Sequence, residues 1–212
     1  MGRWRAIAAF DVVFLALSLL APGAVGTRWW RRQASWRYRK LAPYYDAKIV
    51  ARTPGYLAPL EAALGRLSPP YGRILDVGTG TGAVALEVAR RFPGSCVYAC
   101  DVSEEMLRVA RQRAEAGGLR IAWQQANGTR LPYRDASFDL VLLQNAPPAF
   151  EELARVVRPG GTLVLCLTKG GGLPGFLERR LVRRLGALGI PVVELRRVSS
   201  GLYVLARRSA GS

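Results

Sequence analysis

The chain has 212 residues, half of them hydrophobic, with 31 Lys and Arg against 15 Asp and Glu and a net charge of +16. This length holds one α/β core plus an appendage, and the composition excludes a disordered chain. Histidine is absent, which removes the usual zinc ligand and the usual general base. The charge is uneven: residues 1–40 carry eight basic side chains against one acidic, and residues 176–212 carry eight against two, so the long middle stretch is near balance. Three cysteines, Cys96, Cys100 and Cys166, lie in apolar, strand-like runs. Their odd number reads as buried reduced thiols, and no metal is expected.

At the N-terminus Met1-Gly-Arg-Trp-Arg5 precedes an apolar span, residues 6–25. About 20 residues make a helix of ~30 Å, the thickness of a bilayer core. Roughly ten strongly apolar residues at about −0.5 kcal/mol each outweigh the single Asp11 at up to ~3 kcal/mol. Arg28-Trp-Trp-Arg-Arg32 and Trp36-Arg-Tyr-Arg-Lys40 follow. Mixed Trp and Arg suit a lipid headgroup interface, and also nucleic acid through stacking and phosphate contacts. The apolar span directly before them favours a membrane. Three readings stand: a transmembrane anchor with the rest of the chain on the cytoplasmic side, an interfacial or core-packed amphipathic helix, and a cleaved leader. Residues 1–40 are accordingly expected to form an anchor segment and residues 41–212 a folded domain.

Residues 41–67 read as helical with breaks at Pro43 and Pro54, and Ser68-Pro-Pro-Tyr-Gly72 as a turn. Arg73–Val77 is then a short buried strand. Gly78, Gly80 and Gly82 follow at alternate positions, and a helical pattern begins at Ala83. Strand, glycine turn and helix make the first half of a βαβ unit. Glycines there permit positive φ and close approach of a ligand to the backbone, and the helix end offers free N–H groups to an anion. Two cofactors compete for this turn. Gly78-x-Gly80-x-x-Ala83 satisfies a dinucleotide fingerprint; Asp76-x-Gly78-x-Gly80-x-Gly82 resembles motif I of the class I S-adenosylmethionine-dependent methyltransferases.

Ser95–Cys100 is a second buried strand with Asp101 at its end, about twenty residues after Gly78, where a ribose-binding acid is expected. Ser103 suits the cap of the next helix, with Glu104 and Glu105 in its first turn. That helix stops at Gly117-Gly118. A third strand runs over 119–125, ended by Asn127-Gly128, and a fourth over 138–143. Residues 161–167 form a fifth strand. Residues 174–188 form a helix with Phe176, Leu177, Leu181, Leu185 and Leu188 on its apolar side and Arg179, Arg180, Arg183 and Arg184 on the other, a pattern that suits either anionic lipid or a solvated face. Residues 190–198 and 202–207 make a closing hairpin.

Three pieces resemble the ubiquinone/menaquinone-biosynthesis branch of the class I methyltransferases in order and spacing: Ile74–Gly82, Leu131-Pro-Tyr-Arg-Asp-Ala-Ser-Phe-Asp139, and Glu152-Leu-Ala-Arg-Val-Val-Arg-Pro-Gly-Gly-Thr-Leu-Val-Leu165. Dinucleotide-binding domains lack the last two. The resemblance implies a Rossmann-like three-layer α/β sandwich around a mostly parallel seven-stranded sheet with an antiparallel C-terminal hairpin, and S-adenosyl-L-methionine as cofactor. It implies that backbone at Gly78, Thr79 and Gly80 holds the methionine end, that Asp76 supports the turn and the cofactor's amino group, and that Asp101 takes the ribose. Val102 and Gly128 would lie against the adenine, with Asn127 accepting from its amino group where the family usually has an acid. No catalytic residue is assigned; Tyr44, Tyr45, Gln144 and Asn145 are candidates for lining the pocket.

The loop after the fourth strand is short for this family. Within it, Asn145-Ala-Pro147-Pro148 loosely resembles the Asn-Pro-Pro-aromatic motif of amino-group methyltransferases; the plainer reading is a helix start. The expectation is therefore a membrane-associated methyltransferase with a small or lipophilic acceptor. The alternatives are a non-catalytic scaffold of the same fold and a nucleic-acid methyltransferase, the latter resting on net charge and the loose Asn-Ala-Pro-Pro match.

Overall fold

The computed structural model describes residues 13, 15–21, 27, 36 and 38–210. Seven strands form one sheet: β1 (Arg73–Val77), β2 (Cys96–Asp101), β3 (Ile121–Gln125), β4 (Phe138–Gln144), β5 (Val157–Leu167), β6 (Val192–Val198) and β7 (Gly201–Arg207). Their order is β3-β2-β1-β4-β5-β7-β6. β1 to β5 are parallel and β7 runs antiparallel between β5 and β6, as the hairpin signal at 199–201 requires. The expected fold class is the observed one.

The central strands are buried on both faces, so they read as continuous apolar runs. On one face Ile74, Leu140, Leu142 and Val164 pack against α1 (Ala58–Leu64) and α2 (Ala83–Arg91). On the other, Leu75, Val141, Leu163 and Leu165 meet α4 (Phe150–Val156) and α5 (Gly175–Ala187). α3 (Glu104–Ala116) packs on β2 and β3, and its Ala110 abuts Gly82. Strand order reverses between β1 and β4. In open α/β sheets a ligand crevice lies at such a switch point, beyond the carboxyl ends of the strands.

The second and third resemblance pieces meet in space. Arg155 bonds to Glu152 and Asp135 and to the carbonyls of Tyr133 and Leu131. Arg158 pairs with Asp139, whose other oxygen accepts from the Arg73 N–H at the start of β1. The Asp139 contacts thereby tie the starts of β1 and β4 together.

Several expectations are corrected. Residues 41–67 are less regular than their composition suggests: a 3₁₀ turn at Ala42–Tyr44, a π-type turn at Asp46–Val50, then α1. β5 begins at Val157, with a register shift opposite Phe138 to Leu140. Cys96 is exposed, while Cys100 and Cys166 are buried. Phe176 is 54% exposed; it sits one position, or about 100°, before Leu177 and so falls outside the buried stripe of Leu177, Leu181 and Leu185.

Most of the expected anchor, residues 1–12 and 22–26, lies outside the described residues. Residues 15–20 are helical, and Leu15, Ser18 and Leu19 are buried, an i, i+3, i+4 face. Leu15 and Leu19 join the core cluster that contains Leu177 and Leu181 of α5. Arg180 caps this helix by donating to the Leu19 carbonyl at 2.8 Å. Among the described residues no helix is long and apolar enough to cross a membrane.

Candidate functional site

β1 delivers the chain to the glycine turn, and each glycine has its own constraint. Gly78 has φ +72°, and a Cβ there would stand 2.6 Å from the Ala146 Cβ. Gly80 has φ +55°, and a Cβ there would meet nothing within 4 Å. The first glycine is required by packing against the loop after β4; the second leaves an open backbone surface. The N–H groups of Gly78 and Thr79 both donate to the Cys100 carbonyl, at 2.8 and 3.0 Å, which locks the turn to the end of β2.

Asp101 faces this turn. Its Oδ2 accepts from the Gly80 N–H at 2.8 Å and its Oδ1 from the Ser103 N–H at 2.9 Å. The carboxylate thus clamps the glycine loop to the start of α3, a task invisible in the sequence. Each oxygen keeps a second lone pair that can accept a further hydrogen bond. Burial pushes the Asp101 carboxyl up, and the Ser103, Gly80 and Val102 N–H groups draw it back. Ser103 caps α3 as expected, accepting from the Met106 N–H.

Asn127 reaches the same crevice, but not with a waiting oxygen. Its Oδ1 accepts from the Thr129 N–H at 3.2 Å and its Nδ2 donates to the Thr129 hydroxyl, so the side chain closes its own turn. Val102 and Gly128 line the crevice beside it.

Asp76 lies beneath the turn rather than in the crevice wall, 1% exposed. Neither carboxylate oxygen has a hydrogen-bond partner, and the same holds for the buried Thr79 hydroxyl. Burial raises the Asp76 carboxyl from 3.8 to about 7; the nearby Thr79 hydroxyl opposes the rise, the Asp101 charge adds to it and the Ala85 N–H opposes it. The folded state therefore holds this proton to a higher pH than the unfolded chain does. Stability from this group is full below the unfolded value and falls as pH rises toward about 7. Asp76→Asn, which cannot ionise, is expected to gain roughly 2–3 kcal/mol on the native protein between pH 5 and pH 8. Denaturant unfolding of both at each pH checks this, and a constant difference between them would contradict it.

A crevice, partly open to solvent, lies at the switch point between β1 and β4. Gly78, Thr79, Gly80, Asp101, Val102, Asn127 and Gly128 line it together, so the structure brings together the sequence candidates except the underlying Asp76. Tyr38, Tyr45, Tyr56, Gln144, Asn145 and Pro147 line it as well. Tyr44 is corrected: it is 55% exposed, under the Lys48 ammonium, and turned from the crevice. Tyr45 and Tyr56 hydroxyls meet at 3.3 Å. The Asn145 amide is closed on Thr168, accepting from its N–H at 2.8 Å and donating to its hydroxyl at 2.7 Å. One oxygen lone pair and one N–H of this amide are therefore already engaged within the protein.

Two further residues escaped the sequence reading. Asp46 accepts from the Thr81 hydroxyl at 2.6 Å and pairs with Arg113 at 2.8 Å, and Arg113 also donates to the Thr81 carbonyl. This trio ties the segment before α1 and the helix α3 to the glycine turn. No local pattern announces it, because the partners are 32 or more positions apart. Among the described residues no group of three metal-ligating side chains comes together.

Comparison with known proteins agrees with this geometry. The Methyltransferase domain family matches residues 74–161. A demethylmenaquinone methyltransferase of Thermus thermophilus is 41% identical over 139 residues, 60% of this chain and 62% of that protein. The ubiquinone/menaquinone biosynthesis C-methyltransferase UbiE of Paracoccus denitrificans is 40% identical over 114 residues, 49% of this chain and 46% of that one. The match thus spans less than two thirds of either relative. Among solved structures, a SAM-dependent methyltransferase from Aquifex aeolicus aligns with TM-score 0.62 and 23% identity over 82% of this chain and 98% of that chain. The [4+2]-cyclase SpnF aligns with TM-score 0.68 and 22% identity over 84% and 96%; at such identities these two speak for the fold alone. Residues 74–161 are thus similar to a methyltransferase domain, and the sheet order is that of the solved SAM-dependent methyltransferase fold.

Proposed function

We propose that the protein transfers the methyl group of S-adenosylmethionine to a small, largely apolar acceptor at a membrane surface. The observation that carries this reading is the open backbone face of Gly80 beside the Asp101 carboxylate. The residues fit the cofactor: backbone at Gly78, Thr79 and Gly80 would hold its methionine end, Asp101 its ribose through the remaining lone pairs, and Val102 and Gly128 its adenine. Asp76, buried beneath the turn and outside the crevice wall, would support the turn from below. Asn127 would offer adenine at most the second lone pair of an oxygen already in use.

When bound, the cofactor supplies a methyl carbon made electrophilic by a positively charged sulfur. The chain then has to orient the acceptor in line and keep water out. Tyr38, Tyr45 and Tyr56, which line the same crevice, would wall the acceptor, and the lack of histidine is no obstacle where the acceptor needs no strong base. A quinone-type acceptor is favoured by the names of the relatives; the short loop after β4 makes this an acceptor pocket of its own shape.

Membrane association is supported by the Arg/Trp clusters flanking residues 6–25 and by α5, whose exposed Phe176, Arg179 and Arg183 share one face. Since residues 15–20 lie along the domain, peripheral association on the cytoplasmic side is preferred to a span through these residues. With methyl-labelled cofactor, label is expected in a membrane lipid extract; label confined to soluble metabolites would reject the lipophilic acceptor. A second reading, a non-catalytic scaffold, is favoured by the occupied Asn127 oxygen. It predicts no binding of S-adenosylhomocysteine.

A further inference from the structure

Gln144 ends β4, opposite Cys166 of β5, and is 7% exposed on the wall of the crevice. Its amide orientation is fixed by its neighbours. Nε2 donates to the Tyr56 carbonyl at 3.0 Å and to the Thr168 hydroxyl at 3.2 Å. The Thr168 hydroxyl gives its own proton to the same Tyr56 carbonyl, at 3.0 Å, and also accepts from the Asn145 amide. A carbonyl can only accept, so a flipped amide would set oxygen against oxygen. Oε1 is therefore the end left over, and it is buried with no hydrogen-bond partner. A buried acceptor in that state is costly unless something else satisfies it.

The surroundings say what could do so. Three tyrosines, Ala146 and Pro147 line the crevice too, and among the described residues lining it Asp101 is the one with a formal charge. Among the described residues no Lys or Arg lines it to hold a carboxylate or phosphate, and Thr168 already engages one N–H and one oxygen lone pair of the Asn145 amide. We propose that Gln144 is the specificity-determining residue for the methyl acceptor, its Oε1 accepting a hydrogen bond from an O–H or N–H on a neutral, ring-containing molecule held between the tyrosines. This rests on the cofactor reading above, because the tyrosines are left for the acceptor only if the nucleoside lies against Gly80 and Asp101. Gln144 acts here by positioning; as a neutral amide it takes no proton.

The full chain, with and without saturating S-adenosylhomocysteine, is titrated with naphthol and with methoxynaphthalene. The two share a neutral ring system, and only the first can donate. Naphthol is expected to bind about tenfold more tightly. In Gln144→Met, close in volume but unable to accept in the same way, the preference is expected to shrink to about twofold or less. Gln144→Glu, which when protonated can donate to the Tyr56 carbonyl as Nε2 does and keeps a carbonyl oxygen at that place, is expected to retain it while the group stays protonated and to lose it once ionised. Affinity for S-adenosylhomocysteine should be unchanged in both variants, which also reports that they are folded. Equal binding of the two probes to the native protein, no naphthol binding, or a preference that survives Gln144→Met would each overturn the assignment. Failure of S-adenosylhomocysteine to bind the native chain is a separate result, which overturns the cofactor reading instead.

Discussion

Asp101→Ala is expected to weaken binding of S-adenosylhomocysteine about a hundredfold or more. The carboxylate does two things at once. It accepts the Gly80 and Ser103 N–H groups, and it presents its remaining lone pairs to a ribose. Hydrogen bonds to a charged group contribute ~1.5–3 kcal/mol each, and losing about 3 kcal/mol of ribose contact alone corresponds to more than a hundredfold in affinity. The variant also frees the glycine loop from α3, so its melting temperature should fall. Asp101→Asn separates the two effects. One amide oxygen still serves one N–H, but the NH₂ group faces the other donor, so affinity should fall while the turn is only partly released. Calorimetry for affinity and thermal unfolding for stability check both variants; unchanged affinity in Asp101→Ala would mean that the sugar is held elsewhere.

Replacing the two glycines with alanine is expected to give opposite kinds of damage. At Gly80 the added methyl meets nothing within 4 Å, so the fold bears only the ~1–2 kcal/mol of a left-handed alanine. That methyl, however, projects into the space the cofactor would occupy, and affinity should fall by more than tenfold. At Gly78 the same methyl would stand 2.6 Å from the Ala146 Cβ in addition to the strain at φ +72°. Overpacking adds ~1–3 kcal/mol, and the loop from Asn145 to Ala149 must move, so Gly78→Ala should lower the melting temperature by roughly 5–15 °C. Ala146→Gly in the same chain removes the clash but not the strain, and should recover part of the loss. Thermal unfolding of the three variants reads this directly. Similar melting temperatures for Gly78→Ala and Gly80→Ala would contradict the packing described.

Much of this was legible in the residues themselves. The strand, turn and helix over Arg73–Arg91 were readable because a buried strand, φ-positive glycines and an amphipathic helix leave distinct local patterns. Ser103 with Glu104 and Glu105 announced its cap for the same reason. The Arg155–Asp135 and Arg158–Asp139 pairs make the second and third resemblance pieces halves of one set of contacts.

What could not be read depends on distance or on face. The link of Asp46 and Arg113 to Thr81 joins three separated elements. Tyr45 lines the crevice and Tyr44 does not, a distinction the sequence could not make because the 3₁₀ and π-type turns over Ala42–Val50 keep no single period that tells inside from outside. Asn145 adopts φ +54°, which turns its amide to Thr168. In the apolar span at 6–25 almost every face is hydrophobic, so lipid and protein are equally good partners by composition. Leu15 and Leu19 packing near α5 is a choice that only the assembled surface could make.

Titration of the native chain with S-adenosylhomocysteine tests the central claim, that a sulfonium nucleoside lies across the strand ends between Gly80 and Asp101, most directly. Saturable binding at a single site in the micromolar range, lost in Asp101→Ala, is the predicted result. No heat of binding at millimolar ligand, or binding indifferent to Asp101, would contradict it.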